Sequence, residues 1–513
     1  MKEPVASPVA SCPECGQLRA TLDVALGQLD EARKQIADLQ AEIHELRSQL
    51  NRNSSNSSSP PSVDPPGAPK PVIKAPTGRK PGGQPGHPGH HRHRLPPERV
   101  TKIVPYVPAI CTHCQTPLPS EAAPGDPEPT WHQVAELPEL AADVTEHQGH
   151  ARTCTCCGHL NRGEIPPEIR AHVIGPRLAA VMSYLSGRHH IGRRGVEEIV
   201  ETVFEVPTSL GSVSALEAET TAALASPYQE AQAAVREAPV KNTDETSWKE
   251  KGEKRWLWSA ATATAALFVI HLRRNFAGLQ ALLGKAITGI VCSDRWSVYN
   301  KLPLNLRQIC WAHLKRDFQK LVDRGGPAEA IGRVGLDVVE CLFADWWAFR
   351  HGELDRPGLQ ARLDSIAREL QGILEQGCSC ADSKAATFCA NLLALYPALW
   401  LFAAIEGVEP TNNHVERILR LGVLWRKNAF GCHSAAGCRF VERMLTVVQT
   451  LRLQNRPVLD YGMVQNRPFS GNTRGLSADP DRPRVGAGLR KSLVAVPRLQ
   501  FCENRVYPRS SSQ

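Results

Sequence analysis

Three acids have the type and setting that phosphoryl chemistry needs. Glu416 lies in Thr411-Asn-Asn-His-Val-Glu-Arg-Ile-Leu-Arg420, where Val415, Ile418, Leu419 and Leu421 recur at helical spacing. Asp244 lies in Val240-Lys-Asn-Thr-Asp-Glu-Thr-Ser-Trp248, and Asp294 follows Ile290-Val-Cys-Ser293, each at the end of an apolar, strand-like run. A lone glutamate beside an arginine is ordinarily a solvated ion pair. Separated carboxylates on two strand ends and one helix are instead the ligand set of a two-metal site. One Mg²⁺ would activate water or a DNA 3′-hydroxyl, and the other would stabilise the leaving oxygen of an in-line displacement. Hard oxygen donors suit Mg²⁺, with Mn²⁺ as a substitute, and no side chain need attack covalently. Arg417, Arg420, Arg426 and Lys427 are placed to neutralise the scissile strand. Trp296 is a candidate to stack on an unpaired base or, equally, a core aromatic.

The elements that position these acids are legible from a change of period. From 239 onward, apolar runs at 255–261 and 265–272 read as a hairpin following the Asp244 strand. A helix over 275–284, a strand over 288–293, a second over 306–309 and a basic helix from Cys310 come next. Three adjacent antiparallel strands, a helix and two further strands predict a mixed α/β layer of the ribonuclease H (RNase H) type. Asp294 and Glu416 stand 122 residues apart, too far for a loop. We therefore read a catalytic domain over 239–457 with an all-helical insertion over about 320–405. Asn412 and Asn413 suit an N-cap for the Glu416 helix, their side chains accepting its first N–H groups.

Upstream, Leu22, Leu29, Ile36, Ile43 and Leu50 fall seven apart, with Leu18, Ala25, Ala32, Leu39 and Leu46 on the second seam. This predicts a coiled coil over 16–52, and hence a homo-oligomer. Residues 53–98, rich in Ser, Pro and Gly, cannot bury a core and read as a disordered linker. Its basic residues, Arg79 and Lys80 among them, would track phosphates or merely solvate the tether. Two C-x-x-C pairs, Cys111/Cys114 and Cys154/Cys157, lie 39 residues apart and predict a structural Zn²⁺ site in a domain over 99–173. Strands should fold between them, and Cys156 is an alternative ligand. Cys12 and Cys15 form a third pair, either half of a shared site or coincidence. Residues 174–238 read as helical, either a packed spacer or a helix-turn-helix. The stretch 212–236 reads as one helix, and 458–513 as a loosely ordered tail.

Composition sets bounds on partners. The chain has 513 residues, a formal charge of +8 and pI ≈ 8.7, which favours a polyanionic partner. The excess is uneven: residues 51–100 hold eight Lys/Arg, two acids and four histidines. No apolar run of ~18 residues suggests a membrane span, and the N-terminus lacks a signal-peptide core. The expected location is cytoplasmic and nucleoid-associated. The 16 cysteines are then better read as thiols and metal ligands than as disulfides.

Taken together, these residues resemble DDE transposases of the insertion-sequence-sixty-six type, named for their two aspartates and one glutamate. The resemblance spans about 18–457. It rests on the heptads, Gly-Gly-Gln-Pro-Gly-His, the Cys pairs, Asp-Glu-Thr-x-Trp, Cys-x-Ala-His-x-x-Arg-x-Phe (310–318), Asn-Asn-x-x-Glu-Arg-x-x-Arg (412–420) and Arg-Lys-Asn (426–428). It implies cut-and-paste or copy-type transposition, binding of terminal inverted repeats and target DNA, Mg²⁺ use and companion proteins from the same element. It also assigns the first acid to Asp244, not Glu245, a choice that spacing alone does not make. Two departures stand out: Thr411 replaces the family's frequent aspartate, and the tail after 457 does not match. The rival reading from another class is a dimeric zinc-containing DNA-binding protein without catalytic activity.

Overall fold

The structure is a computed structural model that describes residues 22, 24–36, 38–40, 93–138 and 140–465. Arg79, Lys80, Cys12, Cys15, the tail beyond 465 and the outer heptads lie outside the described residues. Residues 24–36 are helical, and the seam residues Leu22, Leu29, Ile36 and Leu39 are all exposed. No helix among the described residues is long and apolar enough to cross a membrane.

The described residues of the main body divide into two compact units, one holding residues 93–165 with Glu197–Leu210, the other Pro166–Val196 with residues 211–465. In the smaller unit, each C-x-x-C pair closes one tight turn. Gln115 N donates to Cys111 O at 3.0 Å, and Gly158 N to Cys154 O at 2.9 Å. Gln115 and Gly158 both take positive φ, the conformation that lets the chain reverse after the second thiol. Strands β1 (Ala151–Thr153) and β2 (Leu160–Arg162) pair antiparallel around the second turn. Only an isolated bridge, Ile110 to Pro117, flanks the first. Of the strands expected between the two turns only β1 forms, next to the second turn; among the described residues, 119–149 hold none.

In the larger unit a single turn, Pro167–Arg170, precedes α1 (Pro176–His189), and α3 (Leu210–Ala223) and α4 (Ala225–Glu237) follow; α2 (Arg193–Phe204), most of it in the smaller unit, comes between α1 and α3 in the chain. The single helix expected over 212–236 is two. Pro227 has no N–H to donate and its ring crowds the preceding turn, so the chain breaks at Leu224 and restarts. Five strands follow in the order β5-β4-β3-β6-β7. They are β3 (Val240–Glu250), β4 (Glu253–Ala261), β5 (Ala266–His271), β6 (Ile290–Ser293) and β7 (Arg307–Ile309). β3, β4 and β5 pair antiparallel, as the sequence predicts, and the two further strands read from it, β6 and β7, run parallel to β3.

Side chains on β4 alternate between two cores. Leu257 packs with Val415, Leu419 and Leu445, from α10 (Asn413–Ala429) and α11 (Ala435–Leu453). Trp258 packs with Val235, Leu279 and Leu282, from α4 and α5 (Phe276–Leu283). The sheet is thus the middle layer of three. Its α5 helix is capped by Asn275, whose side chain accepts from Gly278 N at 3.2 Å. Between β7 and α10 stand α6 (Trp311–Arg324), α7 (Pro327–Arg350), α8 (Arg356–Gly377) and α9 (Ser383–Ala394), the expected helical insertion. α6 and α7 approach closely because Gly332 and Gly335 offer no Cβ. At Gly335 a methyl would strike the Phe318 ring.

β5 is an edge strand, and an unpaired edge leaves N–H groups without partners. Here α11 supplies them. Thr450, Thr446 and Glu442, four residues apart, accept from Ala266 N (3.1 Å), Phe268 N (3.0 Å) and Ile270 N (2.6 Å). Burial pushes Glu442 up to about 7, against the lowering effect of the Ile270 bond and of Arg443 and Arg439. A carboxyl whose folded pKa is raised binds its proton more readily in the folded chain. Its contribution is therefore complete below the ordinary glutamate range and is lost as pH rises through about 7. Glu442→Gln keeps the acceptor and removes the titration. Relative to wild type, the variant should gain several degrees in Tm at pH 8 and almost nothing at pH 5, which thermal denaturation at both values checks.

Candidate active site

Asp244 sits in mid-strand, not at a strand end, a departure from expectation with a simple cause. β3 continues alongside β4 to Glu250, but its parallel neighbour β6 is paired only as far as Asn242–Cys292. Continuing that register by two residues brings Asp244 beside Asp294, where the chain leaves β6. Alternation turns Glu245 to the opposite face.

Each acid is held by its surroundings. Asp244 Oδ1 accepts from Glu245 N at 2.9 Å. Asp294 Oδ1 accepts from Trp296 N at 3.0 Å, a local turn. The Asp294 carbonyl accepts from Arg307 Nη2 at 3.1 Å, and Arg307 is fully buried and bonded to Asn300 Oδ1 at 2.7 Å. Burial lowers Arg307 only to about 10, so it remains a cation beneath Asp294. Glu416 stands in the first turn of α10, where the positive helix end favours a carboxylate.

Asn412, which was expected to cap α10, makes no side-chain cap bond. Its amide instead donates to Thr243 O at 2.7 Å and its carbonyl accepts from Asn242 Nδ2 at 3.1 Å. Asn412 N donates to Cys310 Sγ at 3.1 Å. The residue thereby ties the start of α10 to β3, one residue from Asp244, and to the start of α6.

The electrostatics place the acids together. Asp244 is pushed well above the usual carboxylate range by burial first, then by the charge of Glu245, and by Glu416 and Asp294. Those last two reach it only because α10 and the β6 end converge on β3. Yet their oxygens do not form one tight knot. Among the described residues, the only three metal-capable side chains with ligand atoms all within 4.8 Å of one another are Cys310, His313 and Glu416. Neither the three acids nor the two cysteine pairs meet that limit.

Glu245 forms a different assembly. Its side chain is 1% exposed, accepts from Arg274 Nη2 at 2.6 Å and from Tyr299 Oη at 2.8 Å, and is raised by burial and by Asp294. Arg274 lies 4.0 Å over the Trp296 ring and 5.1 Å over Trp256. Trp296 is half-buried, with one face covered by that guanidinium. Glu245→Ala should act on the fold more than on the acids' chemistry. It strands the buried Tyr299 hydroxyl and a charge, although Arg274 is 35% exposed and recovers water. A loss of about 2–3 kcal/mol in denaturant unfolding is expected, with cleavage reduced far less than by Asp244→Ala.

The basic residues divide. Arg426 bonds Thr246 Oγ1 at 2.9 Å and Ser247 O at 2.8 Å, holding α10 to β3. Arg417, Arg420 and Lys427 are exposed along one face of α10. Sequence reasoning did not single out Cys310 and His313 as site residues. The C-x-x-H spacing at the start of a helix was the available signal, and it was used only as part of a longer resemblance.

Residues 172–439, just over half the chain, match a transposase family, which places the protein among DNA-processing enzymes. That family is described as Transposase IS66 family, and the chain belongs to it. Residues 13–93 match a family of unknown function, DUF6444. No curated protein matches the chain.

Proposed function

We propose that this is a DDE-type transposase that binds the ends of an insertion sequence and carries out Mg²⁺-dependent strand cleavage and strand transfer in an RNase H-like domain. The observation that carries the reading is the convergence of the β6 end and the start of α10 on β3, through the Asn242–Cys292 register and the Asn412 bridge to Thr243 and Asn242, which brings Asp294 and Glu416 towards Asp244. Like charges crowded onto a strand pair are stabilised by a cation, and carboxylate oxygens fit Mg²⁺ or Mn²⁺. The three acids do not form one tight ligand cluster among the described residues, and the reading places two ions ~3.5–4 Å apart between them. When bound by Asp244, Asp294 and Glu416, the ions supply activation of the attacking hydroxyl and stabilisation of the leaving oxygen.

The chain's own residues do the rest. Asn412 fixes the direction from which Glu416 approaches, and Arg307 fixes the carbonyl of Asp294. Arg417, Arg420 and Lys427 offer exposed charge beside Glu416 for the phosphates. The partners are then terminal repeats and target DNA, a second copy through the coiled coil, and companion proteins of the element, in a cytoplasmic, nucleoid-associated setting. The test is cleavage and joining of labelled element ends with Mg²⁺ present and withheld. Bound but uncut ends under both conditions would favour a regulator without catalysis.

Zn²⁺ held by Cys111, Cys114, Cys154 and Cys157 is the structural counterpart. The twin turns support it, and Thr116 and Cys111 lower Cys114 to about 7, towards the thiolate that metals bind. An ion would draw the two pairs together. Metal analysis of freshly purified protein should return about one Zn²⁺ per chain, and serine at any of the four should remove it. A zinc content at background would reject the assignment.

A further inference from the structure

One cluster beside the acids has the wrong chemistry for Mg²⁺. Cys310 caps α6 at its N-terminus, His313 is one turn on, and both face Glu416 of α10, their ligand atoms all within 4.8 Å. His313 Nδ1 and Glu416 Oε1 are 3.6 Å apart, too far for a hydrogen bond, and neither atom has a hydrogen-bond partner among the described residues. Two buried, unsatisfied atoms facing each other call for something between them. Nitrogen and oxygen ligands on a tetrahedral zinc, each ~2.0–2.2 Å from the ion, lie about 3.4 Å apart. The observed gap is close to that value. Burial, and then the charge of Glu416, push the Cys310 thiol up to about 12 against the lowering effect of the backbone N–H groups of Asn412, His313 and Ala312, the first 3.1 Å from Sγ, so a bound cation has to displace the thiol proton. The His313 and Glu416 side chains are 26% and 34% exposed, which leaves a route in from solvent.

We propose that Cys310, His313 and Glu416 form a site for a soft divalent cation of the zinc class, with water as the fourth ligand. Thiolate and imidazole select zinc over magnesium, and binding releases the thiol proton to solvent. Glu416 belongs to both constellations. On the catalytic reading given above, a zinc ion here therefore withdraws the third acid and holds the transposase inactive.

The experiment uses the full chain as purified, retaining whatever zinc it carries. Equilibrium dialysis at micromolar free Zn²⁺ should give wild type about one further ion per chain. His313→Gln and Glu416→Gln should each weaken that uptake at least tenfold while the zinc present at purification stays. Added Co²⁺ should produce a tetrahedral visible spectrum with a single-thiolate charge-transfer band in wild type, lost in both variants. No further uptake by wild type, equal uptake in the variants, or an octahedral, thiolate-free Co²⁺ spectrum would overturn the site. The two readings fail separately. Zinc uptake with cleavage surviving Glu416→Gln retires the catalytic reading alone. Abolished cleavage with zinc uptake unchanged retires this one.

Discussion

Alanine at Asp244, Asp294 or Glu416 should abolish strand cleavage and joining in Mg²⁺ while leaving DNA-end binding in place. On the proposed two-ion reading, a missing ligand would misplace an ion whose charge opposes the negative charge building at the phosphorus and the leaving oxygen. Loss of a single preorganised stabilising group of this kind costs ~10²–10³ in rate, and loss of an ion ligand more, so turnover should fall to background. The substitutions should not unfold the chain. Asp244 is held above the ordinary carboxylate range by burial and neighbouring acids, which is a destabilising position for it. Removing such an acid relieves repulsion, so the Asp244→Ala chain should melt no lower than wild type in the absence of divalent cations. On the proposed reading, end binding is expected to rest on the basic linker and the upstream domains, which the change does not touch. The measurement is a pair of assays on labelled ends, mobility shift and product gel, for each variant. Near wild-type cleavage by Glu416→Ala would remove the third acid from the mechanism.

The succession of strands and the helical stretch after them were readable because both depend on local pattern. The switch to alternating residues after 239 marks β3 to β5, and the return to helical spacing after 310 marks the insertion. What escaped was set by partners distant in sequence. Asp244 looked like a strand terminus because its strand-like pattern was read only locally. The structure makes it one relative to short β6 but not relative to long β4. Thr446 and Thr450 read as ordinary polar positions of a helix, and their acceptance of N–H groups from β5 depends on a pairing more than 170 residues away. The helical stretch 212–236 was a local failure, since Pro227 was visible in the sequence.

Asn412 is the clearest case of tertiary structure overriding propensity, and it yields the last expected result. An asparagine at this position caps a helix when nothing better is offered. Here it is 1% exposed and its amide group bridges Thr243 O and Asn242, while its backbone N–H holds Cys310 Sγ. Asn412→Ala keeps the backbone contact but strands a buried carbonyl on β3 and leaves the Asn242 amide only its long 3.5 Å bond to Thr411 O. Each unsatisfied buried group costs about 1–3 kcal/mol, so a loss of about 2–4 kcal/mol is expected. Glu416 begins one turn later, its N–H donating to Asn412 O at 3.4 Å, so freeing Asn412 also frees the helix end that aims the acid. Cleavage should therefore fall by about two orders of magnitude below the melting temperature, since small misplacements cost that much. Denaturant unfolding measures the first effect, and product formation at a temperature where circular dichroism reports a folded variant measures the second. Asn412→Asp offers the same shape with acceptors only. It cannot donate to the Thr243 carbonyl, and it adds a fourth acid beside the three. It should be at least as damaging as alanine. If Asn412→Asp were wild-type in both assays, the amide bridge would not be what positions Glu416.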